Sequence, residues 1–200
     1  MDLKTMEENN INTQEYWDLN YSRGFYQDNS SQDWAFNHEF IRRALPQKPC
    51  RILELACGLG HNAKFVASLG HSVIATDFSH VAIEENKKRF TDPKIRYDCL
   101  SLEEATDFFI GLDAVMAFEI IEHYKKPLIP LLKISKCLKE GGLFIFSVPH
   151  EHGHYGVWCQ HYSLWNYDQL GKMLFMAGFK QFTIFKTDFS HENIMGVAVK

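Results

Sequence analysis

An α/β fold, a doubly wound and mostly parallel sheet with helices on both faces, follows from three features of the sequence. Short apolar runs alternate with longer segments of helical period from about residue 50 to residue 178. The first run leads into a glycine turn, and the last two strand-like runs lie too close together for a crossover helix. Parallel strands buried under helices on both faces give this rhythm.

The elements follow in order. Asn12 and Glu15 suit the start of one helix, and Asp33 the start of a second that carries Phe36, Phe40, Ala44 and Leu45 until Pro46 stops it. The five apolar runs are Arg51–Leu55, Ser72–Asp77, Ile95–Asp98, Leu112–Phe118 and Leu143–Val148. Between them, Ala63, Val66 and Ala67 recur at helical spacing before Gly70, and Leu128, Leu131, Leu132 and Leu138 mark a helix closed by Gly141–Gly142. Asn166 and Gln169 read as a capping box, followed by Leu170, Met173, Leu174 and Ala177 and then Gly178. Phe179–Lys186 and Asn193–Lys200, joined by the short polar segment Thr187–Glu192, are expected to pair antiparallel.

A chain of 200 residues is expected to form a single domain over 1–200, too short for a cofactor domain plus a separate substrate domain. Its 21 basic residues against 25 acidic ones supply no overall basic field, which disfavours nucleic acid as a partner. Five scattered cysteines, none spaced C-x-x-C, argue against a disulfide framework or a cysteine-built zinc site. A polar N-terminus and the lack of any long apolar run predict a cytoplasmic protein without a membrane span, monomeric or homodimeric. The ten histidines are uneven: His150, His152, His154 and His161 fall within 12 residues.

The sharpest motif is RILELACGLGHNA, residues 51 to 63: an apolar strand holding an acidic residue, a tight turn, then a helix. Gly58 and Gly60 let backbone pass close to a ligand, and the helix start offers free N–H groups. Asp77 ends the second strand, 19 residues after Gly58, where a carboxylate can accept from two ribose hydroxyls. The spacing G-x-G-x-x-A also fits a dinucleotide loop. Glu54 weighs against that reading, because a carboxylate beside the loop repels a pyrophosphate and attracts a cationic ligand.

These residues resemble the class I S-adenosylmethionine-dependent methyltransferases, Rossmann-like proteins, over about residue 50 to the C-terminus. The resemblance is to the small-molecule type, similar to the O-methyltransferases of quinone biosynthesis. In that family the loop is acidic-x-G-x-G-x-G, and Ala56 stands here for the first glycine. The resemblance implies that Glu54, Ala56, Gly58 and Gly60 line the methionine end of S-adenosyl-L-methionine. It implies further that Asp77 holds the ribose, Phe78 flanks the adenine, and Asp98 and Cys99 meet its amino edge. EYWDLNY is similar to the family's N-terminal lid, here residues 1–45, with Trp17 and Tyr21 four apart on one helical face over the cofactor or in plain core packing.

After the fourth strand the string E-x-x-E-H, Glu119, Glu122 and His123, falls at the carboxyl end of the sheet, where open α/β sheets bind ligands. It is similar to strings in quinone O-methyltransferases and in metal-dependent small-RNA 2′-O-methyltransferases. Two readings stand. Glu119, Glu122 and His123 hold a divalent metal with one later histidine from His150, His152, His154 and His161, or the carboxylates position the acceptor while His123 or His161 acts as base.

The segment 149–166 is read as a substrate loop, too polar and aromatic for buried structure. Tyr155, Trp158, Tyr162, Trp165 and Tyr167 are candidate walls, and His150, His154 or His161 a proton acceptor. The expected function is methyl transfer from S-adenosyl-L-methionine to an oxygen, less readily a nitrogen, of a small molecule, by way of His123, His161 and Glu119. The rivals are a metal-dependent RNA 2′-O-methyltransferase and a non-catalytic cofactor-binding regulator.

Overall fold

A computed structural model describes residues 12–24, 31–151, 161–187 and 193–200, apart from the side chains of 31–34. His152, His154, Tyr155 and Trp158 lie outside the described residues. Helices α1 (Gln14–Ser22) and α2 (Ser31–Ala44) precede the sheet. Then follow β1 (Arg51–Leu55), α3 (His61–Ser68), β2 (Ser72–Asp77), α4 (His80–Arg89), β3 (Ile95–Cys99), α5 (Leu102–Phe108) and β4 (Leu112–Phe118). A 3₁₀ turn (Ile121–His123), α6 (Leu128–Cys137), β5 (Leu138–Pro149), α7 (Tyr167–Met176), β6 (Gln181–Lys186) and β7 (Asn193–Val199) complete the chain.

The seven strands lie in the order β3-β2-β1-β4-β5-β7-β6. All pairs from β3 to β5 are parallel, and β7 runs antiparallel between β5 and β6, as the missing crossover requires. The strand order reverses beside β1 and β4, so their carboxyl ends open the crevice where such sheets bind ligands. Each face has its own core. Leu102, Ala105, Phe109, Leu131, Ile134, Leu170 and Leu174 cover one, and Ile41, Ala63, Val66, Ala67 and Ile83 cover the other.

Several local expectations are corrected. Leu138 opens β5 rather than closing α6, and Gly141–Gly142 lie inside that strand. The register steps from Leu112↔Leu138 to Ala114↔Leu143, so the glycines form a bulge. A bulge and a helix C-cap both favour glycine at positive φ, and Gly141 has φ +75°. Leu131 and Ile134 face inward on α6, which turns Leu132 outward. Thr13, not Asn12, caps α1, its hydroxyl accepting from the Tyr16 N–H. Asp33 lies in the first turn of α2 instead of before it, and Ile41 is the deepest of that helix's described side chains.

The substrate-loop reading changes most. Trp165 is 2% exposed and joins the core, and its neighbour in a short parallel bridge, His150, is also buried. An indole buried in the same apolar cluster as Leu170, Leu174 and Phe179 gains more from dry packing than from standing over a cleft. Tyr162 and Tyr167 are exposed.

Candidate active site

The loop between β1 and α3 is built from residues at positive φ: Ala56 (+51°), Gly58 (+51°) and Gly60 (+71°). The two glycines are also required by space. A Cβ on Gly58 would stand 3.0 Å from the Tyr21 hydroxyl, and one on Gly60 3.0 Å from the Asn86 side chain and 3.1 Å from the Tyr97 hydroxyl. Ala56 has no such exemption and sits in a conformation that costs an L-residue about 1 kcal/mol.

Two buried side chains hold the Gly58 peptide from opposite ends. Its N–H donates to Asp77 Oδ2 (2.9 Å), and its carbonyl accepts from Asn86 Nδ2 (2.7 Å). The other Asp77 oxygen accepts from the Ser79 N–H (2.8 Å). Each oxygen keeps a second lone pair, so the carboxylate still suits a pair of ribose hydroxyls. Burial, only partly offset by these N–H groups, pushes the Asp77 carboxyl up to about 6.

Glu54 is 2% exposed, and burial raises its carboxyl to about 8 against the hydrogen bonds from Asn62 and Ala63. Its Oε2 has no hydrogen-bond partner, and no basic side chain pairs with it among the described residues. A buried carboxyl with one orphaned oxygen fits an ammonium group and rejects a pyrophosphate. That is the fit required of the methionine end of S-adenosyl-L-methionine.

Phe78 is half-buried beyond Asp77 and its carbonyl accepts from the Cys99 thiol (3.5 Å). Asp98 and Cys99 share the sheet edge, but successive strand residues point to opposite faces, and Asp98 pairs with Arg96 (2.7 Å). Helix α1 lies across the loop: Trp17 packs against Tyr21 (6.2 Å between ring centroids) and edge-on against His123 (5.9 Å).

At the end of β4, Glu119 adopts φ +52°, a second strained non-glycine position. It is tied twice to β5: its N–H donates to the Ser147 carbonyl (3.2 Å), and the Ser147 hydroxyl donates to Oε1 (2.6 Å). Burial raises this carboxyl to about 7. Glu122 is fully buried, neither of its carboxylate oxygens has a hydrogen-bond partner among the described residues, and burial with the nearby Glu119 charge raises it well above the carboxylate range. The His161 Nε2 lies 3.8 Å from Glu122 Oε1, and burial followed by the His123 charge lowers His161 to about 4. The Tyr162 N–H donates to the Glu122 carbonyl (2.8 Å) and fixes His161 there, 5.2 Å from the His123 ring.

Of the expected metal candidates, Glu122, His123 and His161 offer ligand atoms all within 4.8 Å of one another. Glu119 is outside that group, its carboxylate engaged by Ser147. Asn62, Asn86, Asp18 and Ser147 escaped the sequence reading. Only Asn62, in the first turn after the glycine loop, stood where a motif could have drawn attention to it. No helix among the described residues is long and apolar enough to cross a membrane.

Comparison with known proteins agrees with this geometry. Residues 26–181 match a family model described as a methyltransferase domain. A protein of Mycolicibacterium smegmatis named as a probable S-adenosylmethionine-dependent methyltransferase is 26% identical over 119 residues, 58% of this chain and 46% of the relative. The mitochondrial ubiquinone biosynthesis O-methyltransferase of Schizosaccharomyces pombe is 30% identical over 118 residues, 54% and 43% of the two chains. The chain thus spans less than half the length of these curated relatives. Phosphoethanolamine N-methyltransferase 2 of Haemonchus contortus, solved with S-adenosyl-L-methionine, shares the fold at a TM-score of 0.75 and 18% identity, covering 100% of this chain and 60% of that one. With the family model matched across most of its length and the carboxylate-flanked glycine loop in place, the chain belongs to the methyltransferase-domain family and has the class I S-adenosylmethionine-dependent methyltransferase fold.

Proposed function

We propose that this chain transfers the methyl group of S-adenosyl-L-methionine to an oxygen of a small-molecule acceptor, with nitrogen the less favoured atom. Glu54, Ala56, Gly58, Gly60, Asp77, Phe78, Asp98 and Cys99 hold the cofactor, and Trp17 and Tyr21 cover it from the N-terminal lid, residues 1–45. The bound cofactor supplies a sulfonium methyl for in-line displacement, so the protein's task is alignment and proton removal. Glu119, His123 and His161 perform that task at the end of β4.

One observation carries the reading. Helix α1 sets Tyr21 against Gly58 and the Trp17 ring against the His123 ring, which in turn meets His161, so one helix bridges the glycine loop and the two histidines. A carboxyl raised to about 7 has the basicity a general base needs near neutral pH, which suits Glu119 to take the acceptor's proton. The His161 imidazole, lowered to about 4, is neutral there and suits orientation of the acceptor hydroxyl through its ring nitrogens. The O-methyltransferase name of the fission yeast relative supports oxygen as acceptor.

The test is methyl transfer to parallel panels of phenols, alcohols and amines, read by mass spectrometry, with Glu119→Gln and His161→Ala alongside. Transfer to hydroxyl compounds, slowed at least about a hundredfold in both variants, is expected. Transfer to RNA alone, or cofactor binding without turnover on any panel, would replace the proposal with one of its two rivals.

A second reading has its own observation, the cluster of Glu122, His123 and His161 with an unpartnered buried carboxylate. These residues fit a divalent cation, which would lower the pKa of a bound hydroxyl. Titration with Mn²⁺ followed by calorimetry decides: one site per chain, abolished in His123→Ala, supports it, and no heat above buffer dilution removes it.

A further inference from the structure

Asp18 lies on α1 between two lid residues, yet its carboxylate belongs to the start of α4. Its Oδ1 accepts from the Ser79 hydroxyl (2.5 Å) and from the Val81 N–H (3.2 Å). Ser79 caps α4 and is fully buried, its oxygen accepting from the Ala82 N–H while its proton goes to Asp18. The first orphan donors of α4 are thus divided between side chains: Ser79 N–H goes to Asp77, Ala82 N–H to Ser79, and Val81 N–H to Asp18. Asp77 joins this cap from the end of β2 just before it, and Asp18 from α1, 61 residues from Ser79 in sequence, with its charge at the positive end of α4.

We propose that Asp18 is a positioning residue that latches α1 across the cofactor's site and sets how fast the methyl-transfer product leaves. The proposal rests on the methyltransferase reading of the glycine loop and names what controls access to it. Three observations support it. Residues 17, 18 and 21, within one turn and a little more of α1, touch three different parts of the sheet edge. Trp17 meets His123 after β4, Tyr21 lies against Gly58 after β1, and Asp18 meets Ser79 after β2. A helix spanning those strand ends lies over the ligand crevice.

The helix is also weakly held. Of its nine residues only Tyr16 and Asn20 are buried, and a helix this short has little stability of its own. A charge-assisted pair of hydrogen bonds then makes up a large share of what docks it. Finally, the latch and the cofactor site share a residue's neighbourhood. Ser79, which donates its hydroxyl to Asp18, donates its N–H to Asp77, the carboxylate placed for the ribose.

The test is the dissociation rate of S-adenosylhomocysteine, followed by stopped-flow displacement, together with the thermal midpoint of the ligand-free protein. Asp18→Ala is expected to release the ligand about tenfold faster with a nearly unchanged midpoint, because the contact holds one short helix and not the core. Asp18→Asn, which keeps the acceptor oxygen without the charge, should fall between the two. Glu15→Gln, on the exposed side of α1, should behave as wild type. Dissociation within twofold of wild type in Asp18→Ala overturns the latch, as does a faster rate matched by an equal loss of global stability and unrescued by Asp18→Asn. If the wild-type chain binds no S-adenosylhomocysteine, the cofactor reading itself has failed, an outcome separate from both.

Discussion

Replacing Glu54 by glutamine should make the ligand-free protein more stable while removing its cofactor. The carboxyl titrates near 8 in the folded chain against 4.5 when unfolded. A raised folded pKa contributes stability that is fully present below pH 4.5 and is lost as pH rises toward 8. At pH 7 the unfolded chain has already gained from ionising through about 2.5 units, a cost to folding of about 3 kcal/mol. Glutamine removes that cost, but its amide N–H₂ takes the place of the unpartnered Oε2 and forfeits about 1 kcal/mol. The net gain is about 2 kcal/mol at pH 7, or roughly 4–8 °C in a domain of this size. At pH 5 the gain should vanish, because the carboxyl is protonated in the folded state and ionisation of the unfolded chain, only about half a unit above its pKa, then costs folding about 1 kcal/mol, no more than the amide forfeits. Scanning calorimetry of both proteins at pH 5, 6, 7 and 8 measures this. An unchanged or lowered midpoint at pH 7, or a gain of equal size at pH 5 and pH 8, would refute the assignment of Glu54 as a buried carboxyl awaiting a cation.

Other outcomes follow from the same geometry. Ala56→Gly relieves a left-handed backbone and should raise the midpoint by about 1 kcal/mol equivalent, read by thermal unfolding. Trp165→Ala opens a cavity in the core and should cost about 3–5 kcal/mol in denaturant titration, an effect a loop residue over a cleft would not produce. With the Glu119 carboxyl near 7 and its ionised form required, methyl transfer should rise with pH through about 7, and Glu119→Gln should abolish that limb of the pH–rate profile.

The parts of the site legible in the sequence were those built locally. Glu54, Gly58, Gly60 and Asp77 belong to a strand-turn-helix-strand unit that can be read as one motif, and the last two strand-like runs, too close together for a crossover helix, pair antiparallel as expected. What stayed hidden depends on contacts between distant segments. Asn86 holds the Gly58 carbonyl from 28 residues away, and Asp18 reaches Ser79 across 61. Neither has a local pattern to announce it. The glycine pair at 141–142 misled because one backbone need, positive φ, serves two structures. Trp165 misled because its polar neighbours in sequence are not its neighbours in space: a parallel bridge pairs it with buried His150, and it joins the core. The sequence groups Glu119, Glu122, His123 and His161 at the end of the fourth strand as one set, and only the fold separates Glu119, held by Ser147, from the other three.

The most direct test of the central claim is isothermal titration of the chain with S-adenosylhomocysteine, with Glu54→Gln as companion. The site described here predicts one molecule bound per chain with a Kd in the micromolar range, about −8 kcal/mol, and an affinity at least about a hundredfold weaker in Glu54→Gln. It also predicts proton release on binding at pH 7, as the ligand's ammonium lowers the Glu54 carboxyl from about 8. No binding by the wild-type chain up to about 1 mM, a contribution of only about 4 kcal/mol or less, would contradict it.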